Sequence, residues 1–321
     1  MQRRRVFGVL FTGLVLASTV TAPHAVAADP CRWIAHDLPL PAGAAYARTW
    51  GSSENNRFIV GATRIDGAAE RGLIWDNGAL RLMTSSGSPT IGVEPADVNN
   101  VGVVVGEWYS WNDGIHRAFR YRDGVYEYLD TPAGQNSKAV AINALGDVIG
   151  ETWSPDTPTY HRTVVWPGSG PRKDFPPGEG AVGITDDRKI VQIMPRWAAV
   201  TEIESGRSTE LTGARWSMVL DNDRVLHPAE GGLKEWNIAG EHVATWEGGT
   251  EPFGRTSSGH VVFGAVAGIP TLWQWGVRYP VDSAKLPDAA YYGDISDEGA
   301  LIGTYKNSDG STHPARWFWC G

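Results

Sequence analysis

A short segment that recurs along the chain constrains its fold more than any other feature of the sequence. In the clearest copy, Asn143–Gly150, a polar turn precedes a β-branched run that ends at a glycine. Related segments are Asn55–Gly61, Asn99–Gly106, Thr185–Gln192, Leu220–His227, Ser257–Gly264 and Ser296–Gly303. These seven copies follow one another at intervals of about 40 residues, which is the period expected of a propeller blade.

One complete unit lies between His116 and Glu151. Its apolar, aromatic and β-branched runs are His116–Tyr121, Val125–Leu129, Ala139–Ile142 and a fourth that begins at Asp147. Asp123-Gly124 marks a tight turn between the first two runs. The sequence therefore predicts an all-β protein, a single β-propeller with seven blades of four antiparallel strands. Six or eight blades remain open, because the copies between Gly183 and Trp246 are divergent.

Each copy is followed by a second shared piece, an aromatic strand. These strands are Leu73–Trp75, Ala118–Tyr121, Val164–Trp166, Arg196–Trp197, Leu233–Trp236, Leu272–Trp275 and Ala315–Trp319. They account for most of the 15 tryptophans. A large ring at one repeated strand position favours packing between blades over a ligand cage.

The first 27 residues have the pattern of a signal peptide. Three arginines precede the apolar run Val6–Val20, and Ala25-Val26-Ala27 has the small residues of a cleavage site. General secretion is favoured over the twin-arginine route, because Arg3 rather than Ser or Thr precedes the arginine pair. We therefore expect a secreted, extracellular protein whose mature domain spans residues 28–321.

The charge balance excludes some partners. The formal net charge is −8, and removal of three arginines with the leader makes the mature chain more negative. Binding to nucleic acid or to anionic membranes depends on Lys and Arg, so neither is expected. No other long apolar segment predicts membrane insertion, and we expect a monomer.

Cys31 and Cys320 lie at the two ends of the mature chain. In an oxidising compartment two such cysteines are expected to pair. The last copy stops at Cys320 and lacks a fourth strand, which Arg32–Leu38 has the length and alternation to supply. We therefore predict a ring closed by the N-terminal strand and locked by a Cys31–Cys320 disulfide.

The second and third copies resemble a known bacterial repeat. His116-Arg117-Ala118-Phe119, followed by Ala141-Ile142-Asn143, Gly146 and Val148-Ile149-Gly150, is similar to the extracellular HAF repeat. In this chain an arginine is inserted within the His-Ala-Phe triplet. The resemblance implies a secreted repeat protein of the propeller type and implies no particular reaction.

No motif predicts a cofactor or a metal. His116, His161 and His313 precede the aromatic strands of copies two, three and seven, where they are expected to hold their own loops by hydrogen bonds. Histidines of non-adjacent blades cannot converge on one ion. There is no Gly-x-Ser-x-Gly nucleophile motif and no phosphate-binding glycine-rich loop before a helix.

Glu107 and Glu151 each follow the recurring glycine, in adjacent copies. Paired carboxylates can hydrolyse glycosides. The alternative is that both acids are solvated strand ends.

Aromatic residues mark the connections after the second strand in three copies. We predict ligand-binding residues among Trp108, Tyr109, Trp111, Trp153, Tyr160 and Tyr305. Rings beside Asn, Asp and Ser suit sugars, which have an apolar face and hydroxyl edges. Three functions stay open. The first is an extracellular module that binds a glycan or a protein, and the second is a carbohydrate-active enzyme, a glycoside hydrolase or a polysaccharide lyase, using acids such as Glu107 and Glu151. The third is a stable scaffold with no small ligand.

Overall fold

The computed structural model describes most of the chain from residue 33 onward. The described residues are 33–65, 67, 69–83, 90–214, 218–221, 223–256, 261–267, 269–274, 277–281, 291–296, 299–306 and 311–319. They form 28 β-strands and, within these ranges, no helix. In the part of the chain so described, no segment could cross a membrane as a helix. Cys31 and Cys320 lie outside the described residues.

The strands pair antiparallel in chain order, four at a time, and we number the resulting sheets 1 to 7. Sheet 1 consists of β2 (Ala44–Ser52), β3 (Phe58–Ile65), β4 (Arg71–Asp76) and β5 (Ala79–Leu82). Sheet 2 consists of β6 (Ile91–Val98), β7 (Val104–Ser110), β8 (Ile115–Arg122) and β9 (Val125–Tyr128). Sheet 3 consists of β10 (Asn136–Ile142), β11 (Val148–Trp153), β12 (His161–Trp166) and β13 (Lys173–Gly178).

The remaining sheets follow the same order. Sheet 4 consists of β14 (Gly180–Ile184), β15 (Lys189–Ile193), β16 (Ala198–Glu202) and β17 (Ser208–Leu211). Sheet 5 consists of β18 (Val219–Asp221), β19 (Arg224–Ala229), β20 (Gly232–Asn237) and β21 (His242–Glu247). Sheet 6 consists of β22 (Glu251–Arg255), β23 (Val261–Val266), β24 (Ile269–Gln274) and β25 (Val277–Pro280). Sheet 7 consists of β26 (Tyr291–Ile295), β27 (Leu301–Lys306), β28 (Thr312–Trp319) and β1 (Trp33–Asp37).

Sheet 7 takes its fourth strand from the other end of the chain. β1 pairs antiparallel with β28, with Trp33 opposite Trp319 and Asp37 opposite Ala315. A single parallel bridge between Tyr46 and Thr312 joins sheet 7 to sheet 1. The strand predicted at Arg32–Leu38 therefore exists and pairs with the last strand of the chain.

The recurring glycine has a steric cause. In six sheets the pairing of the first two strands contains a register shift. In five of them the second-strand glycine lies beside that bulge, and in sheet 4 Gln192 takes its place. A Cβ on Gly106 would lie 2.1 Å from the carbonyl oxygen of Glu94, and one on Gly150 would lie 2.1 Å from that of Lys138. Because these contacts are with backbone, no side-chain rotation relieves them, and only glycine fits.

The core lies between the sheets. Seven clusters of buried apolar residues each join two neighbouring sheets, and one of them joins sheet 7 to sheet 1 through Leu38, Ile302 and Trp75. The first strands also contact one another in chain order, from β2 to β26, and β26 contacts β2. Each sheet thus buries both of its faces against neighbours.

The aromatic strand position is confirmed as a packing position. At one equivalent position the third strands carry Trp75, Tyr121, Trp166, Trp236, Trp273 and Trp317. This position is two residues after the one opposite the recurring glycine or, in sheet 5, opposite His227. All six are buried against the preceding sheet. The assignment of Trp197 to this role was wrong, because it precedes β16 and is partly exposed, and Thr201 occupies the position.

The asparagine of the repeat links neighbouring sheets. Asn143 donates from Nδ2 to the carbonyl oxygen of Thr185 (3.0 Å), while Asp147 N donates to its Oδ1 (2.8 Å). Asn99 donates in the same way to the carbonyl oxygen of Asn143 (3.3 Å). The side-chain amide thus accepts a hydrogen bond from its own turn and donates one to the turn of the next sheet. An asparagine at this position is explained because its side chain carries both an acceptor and a donor.

Candidate functional site

The connections between second and third strands bring sheets 2 and 3 together at one end of the molecule, which we call the loop end. β7 leads into residues 111–114 and β11 into residues 154–160. At the opposite end, the hairpin end, the first strands turn into the second strands. The residues predicted for binding in these two sheets all lie toward the loop end.

Two glutamate–histidine pairs occupy equivalent places near the loop end. Glu107 Oε2 lies 2.7 Å from His116 Nδ1 in sheet 2, and Glu151 Oε2 lies 2.5 Å from His161 Nδ1 in sheet 3. In each sheet the acid is on the second strand and the histidine on the third, which are hydrogen-bonded neighbours. The sequence placed all four residues but did not pair them.

Glu151 is fully engaged by its surroundings. Lys138 Nζ lies 3.2 Å from Oε2, and the backbone N–H of Ala181 donates to Oε1 at 2.8 Å. Only 4% of the residue is exposed, so it is not the solvated strand end that the sequence allowed. Burial raises the pKa of Glu151, but the His161 hydrogen bond, Lys138 and the Ala181 N–H outweigh it and lower that pKa overall.

His161 is held as an imidazolium. Its Nδ1 faces the Glu151 carboxylate, and its Nε2 lies 2.8 Å from the carbonyl oxygen of Pro158. Because both partners are acceptors, both ring nitrogens must donate, which only the protonated ring can do. The hydrogen bond to Glu151 accordingly raises the pKa of His161. The Pro158 contact also fixes the loop that precedes β12.

The pair should make stability depend on pH with a defined sign. The raised His161 pKa gives stability that is fully present below pH 6.5 and is lost as the pH rises through the raised value. The lowered Glu151 pKa gives stability present above pH 4.5 and lost as the pH falls through the lowered value. We expect His161→Gln to destabilise the protein more at pH 5.5 than at pH 9, measured by urea unfolding at both values. Equal destabilisation at the two values would contradict the imidazolium assignment.

Ring contacts run without interruption from sheet 2 to sheet 3. The ring centroids lie 5.0 Å apart for Trp111 and Tyr109, 6.0 Å for Tyr109 and His116, 5.4 Å for His116 and Trp153, and 5.1 Å for Trp153 and His161. Trp153 stacks on the His161 imidazolium with an interplanar angle of 12°, a favourable cation–π arrangement. We call these five residues the aromatic row.

The predicted binding residues differ in exposure. Trp111 is 64% exposed and Tyr160 is 58% exposed, so both present ring surface to solvent. Trp153 and Trp108 are partly buried, and Trp108 contacts Tyr128 edge to face at 6.2 Å. Trp108 and Tyr109 belong to β7 and not to the following connection.

Tyr109 and Tyr305 pack inside the protein. Tyr109 is 6% exposed, and its ring fills the space beside Gly92. Tyr305 is 4% exposed, and its hydroxyl donates to Asp37 Oδ1 at 2.8 Å. Neither side chain offers a free ring face to a ligand. We therefore assign both to packing within the protein. The connection that follows Tyr305 lies largely outside the described residues.

Charged side chains on the first strands near this site were missed by the sequence analysis. Arg48, Glu94 and Lys138 occupy the same level in sheets 1, 2 and 3, opposite the residue that follows the recurring glycine. Burial and the neighbouring acids Glu107 and Glu70 raise the pKa of Glu94 to about 7. Alignment of the copies through their first strands would have detected this charged position within apolar runs.

A cavity of about 530 Å³ lies at the hairpin end, away from the aromatic row. Three of the acids that line it, Asp97, Asp221 and Asp294, accept hydrogen bonds from Ile142 N (2.9 Å), Arg255 N (2.6 Å) and Ser52 Oγ (2.6 Å), each in the next sheet around. Burial raises the pKa of Asp97 to about 7. Among the described residues, no group of three or more His, Cys, Asp or Glu is arranged to hold a metal ion. These acids therefore join sheets.

Comparison with protein-family models and with curated proteins finds no match to this chain. Solved structures match it over most of its length. An oligogalacturonate lyase in complex with manganese has a TM-score of 0.62 and 9% identity, over 90% of this chain and 96% of that one. A chain of a mitotic checkpoint complex has a TM-score of 0.55 and 12% identity, over 96% and 100%. The AfRom2 CNH domain has a TM-score of 0.52 and 10% identity, over 89% and 100%.

These likenesses define the class of fold. The matched structures are propeller proteins, and this chain is an all-β protein of four-stranded antiparallel sheets with a propeller-like fold. At identities of 9–12% they are evidence for the fold alone. The matches include a lyase and a component of an assembly, so function has to be argued from the site.

Proposed function

We propose that this protein is an extracellular binding module and that its ligand is a glycan held along the aromatic row. The observation that carries the proposal is the run of ring contacts that crosses from sheet 2 to sheet 3 at the loop end. Exposed Trp111 at one end and Tyr160 beside the other extend ring surface toward solvent.

The chemistry of the row suits sugars. Indole and imidazole faces stack on the apolar face of a pyranose, and neighbouring charged groups bind its hydroxyls. Glu107 and His116 are both partly exposed beside the rings, with side-chain exposures of 20% and 34%. The Glu107–His116 hydrogen bond holds both in place, so little side-chain entropy is lost when a ligand binds.

Removal of a ring should weaken binding without unfolding the protein. We expect Trp153→Ala and Trp111→Ala each to raise the Kd for a bound glycan about tenfold, equivalent to about 1.4 kcal/mol, because a stacking face is lost. The measurement is a glycan-array screen of the oxidised protein, followed by calorimetric titration of the strongest hit. Tyr279→Ala is the matched control, since this ring is exposed on β25 in a different sheet. Equal affinities of all three variants and wild type would contradict the row as a binding site, and binding of proteins but no glycans would assign a protein partner.

We also propose that the seven sheets are the blades of one closed, seven-bladed propeller in a secreted protein. Two observations support closure: β26 contacts β2, and one of the core clusters joins sheet 7 to sheet 1. β1 supplies the outer strand of sheet 7. The β1–β28 pairing has Trp33 opposite Trp319 at its end. Cys31 and Cys320 follow within two residues of this pair in sequence, and this supports a Cys31–Cys320 disulfide.

The alternative that Glu107 and Glu151 are the two acids of a carbohydrate-active enzyme has less support. Glu107 and Glu151 lie in different sheets, and Glu151 is committed to Lys138, His161 and the Ala181 N–H. A carboxylate with three such partners and little exposure is poorly suited to attack a substrate or to exchange a proton with it. Any hydrolytic chemistry therefore has to use a different second acid.

A further inference from the structure

Sheet 2 sets two acids directly opposite each other. In the pairing of β6 with β7, Glu94 is the partner of Glu107. At the same level, sheet 3 pairs Lys138 with Glu151, and their side chains form an ion pair at 3.2 Å. Like charges at directly opposed positions of a sheet are destabilising. Proteins tend to keep such unfavourable pairs at functional sites.

The two carboxyl groups have different environments. Glu94 is partly buried, with Glu107 on β7, Glu70 before β4, Arg48 on β2 and Lys138 on β10 as its charged neighbours. The two cations only partly offset burial and the two acids, so the pKa of Glu94 is raised to about 7. Glu107 is instead held by His116 Nδ1 at 2.7 Å. One acid thus retains a proton near neutrality, and the other has a fixed orientation.

We propose that Glu94 and Glu107 are an acid and nucleophile pair that hydrolyses a glycosidic bond of the glycan held by the aromatic row. This inference rests on the proposed glycan binding and adds a reaction to it. Directly opposed residues have Cβ atoms about 4.5–5.5 Å apart. Such close opposition favours the short carboxyl separation of about 5 Å that is typical of retaining glycosidases over the wider spacing of inverting ones.

The reaction balances with water as the only co-reactant. Glu94 gives its proton to the glycosidic oxygen as the bond from that oxygen to the anomeric carbon breaks, and the oxygen keeps the electron pair. The Glu107 carboxylate attacks the anomeric carbon and forms an ester. Water then attacks the same carbon and gives a proton to the Glu94 carboxylate, and the Glu107 ester bond breaks. One water is consumed, one new reducing end appears and both acids return to their first state.

The first experiment measures binding and cleavage on the same samples. The probes are soluble β-glucan, xylan, chitosan and polygalacturonate, with calorimetry for binding and reducing-end release for cleavage. We expect wild type to cleave at least one probe that it binds, and Glu94→Gln and Glu107→Gln each to lower the rate about 10²–10⁴-fold. The Kd of Glu94→Gln should stay within about threefold of the wild-type value. Glu127→Gln, an exposed acid on β9, is the matched control with an unchanged rate.

The outcomes separate the two proposals. Binding of a probe without release of reducing ends by wild type overturns hydrolysis and leaves the binding module standing. Absence of binding to all four probes overturns both. An unchanged rate in Glu94→Gln overturns its role as the acid. The rate of wild type should also fall as the pH rises through about 7, because Glu94 then loses the proton that it donates.

A second measurement, made without substrate, tests whether Glu94 keeps its proton near neutral pH. A raised carboxyl pKa means that the folded state binds the proton more tightly than the unfolded state, so wild-type stability should decline as the pH rises from 4.5 through 7. Glu94→Gln cannot ionise at this position and should lack that part of the decline. Identical pH dependence of urea unfolding in the two proteins would overturn the protonated pair.

Discussion

Trp75→Ala is expected to lower the free energy of unfolding by about 3–5 kcal/mol, the usual cost of deleting a buried tryptophan. Trp75 is fully buried on the third strand of sheet 1 and packs against Leu38 and Ile302 of the sheet 7 side. Its indole N–H also donates to the carbonyl oxygen of Pro39 at 2.9 Å. The substitution therefore opens a cavity between the first and last sheets and leaves a carbonyl unpaired.

The measurement is urea unfolding of the purified variant beside wild type, with the midpoint and the slope both recorded. Trp111→Ala is the matched control, because the same residue type is removed from an exposed site, and we expect a change of no more than about 0.5 kcal/mol. Equal destabilisation by the two substitutions would contradict the packing role of the repeated aromatic position.

Loss of the proposed Cys31–Cys320 disulfide is expected to lower the free energy of unfolding by about 2–5 kcal/mol. The bridge would close residues 31–320 into one loop, and in the chain-entropy model longer loops restrict the unfolded state more. It would also keep β1 on β28, so its loss should release the outer strand of sheet 7 before the other sheets unfold.

The comparison is between the oxidised protein and Cys31→Ser/Cys320→Ser, with thiol titration of the unfolded wild type to count free cysteines. Reduced wild type is the control for the serine side chains, and it should match the double variant. Two titratable thiols in the oxidised preparation, or equal unfolding midpoints of oxidised protein and double variant, would contradict the bridge.

Much of the fold could be predicted from the repeat. The runs between His116 and Glu151 became β8, β9, β10 and β11 within two or three residues at each end. The prediction held because turn glycines and strand alternation are local signals. The prediction failed for Trp197, because the divergent fourth copy has Thr201 at the aromatic position. Trp197 lies only four residues earlier in the sequence and was therefore assigned to that position in its place.

The site was predicted less completely than the fold. Trp111 and Tyr160 are exposed as a binding role requires, but Tyr109 and Tyr305 are buried. Their neighbours in sequence did not distinguish them, because a strand residue faces solvent or core according to register and to the sheet packed against it. Glu94 was missed for the same reason, since its opposition to Glu107 exists only once β6 and β7 pair.

The sequence by itself determined the strand pattern, the recurrence of a unit at intervals of about 40 residues and the positions of most of the interior tryptophans. These features depend on residue spacing, turn chemistry and side-chain volume, all of which are visible in the sequence without knowledge of the tertiary contacts. Only the tertiary structure decided which acids meet a histidine, which meet a lysine and which face another acid. Such pairings join separate strands or separate sheets, and the pKa of a carboxyl depends on its burial and on the charges nearby in space. The repeat therefore predicts where each side chain lies in its strand, and its neighbours in space decide what chemistry it can perform.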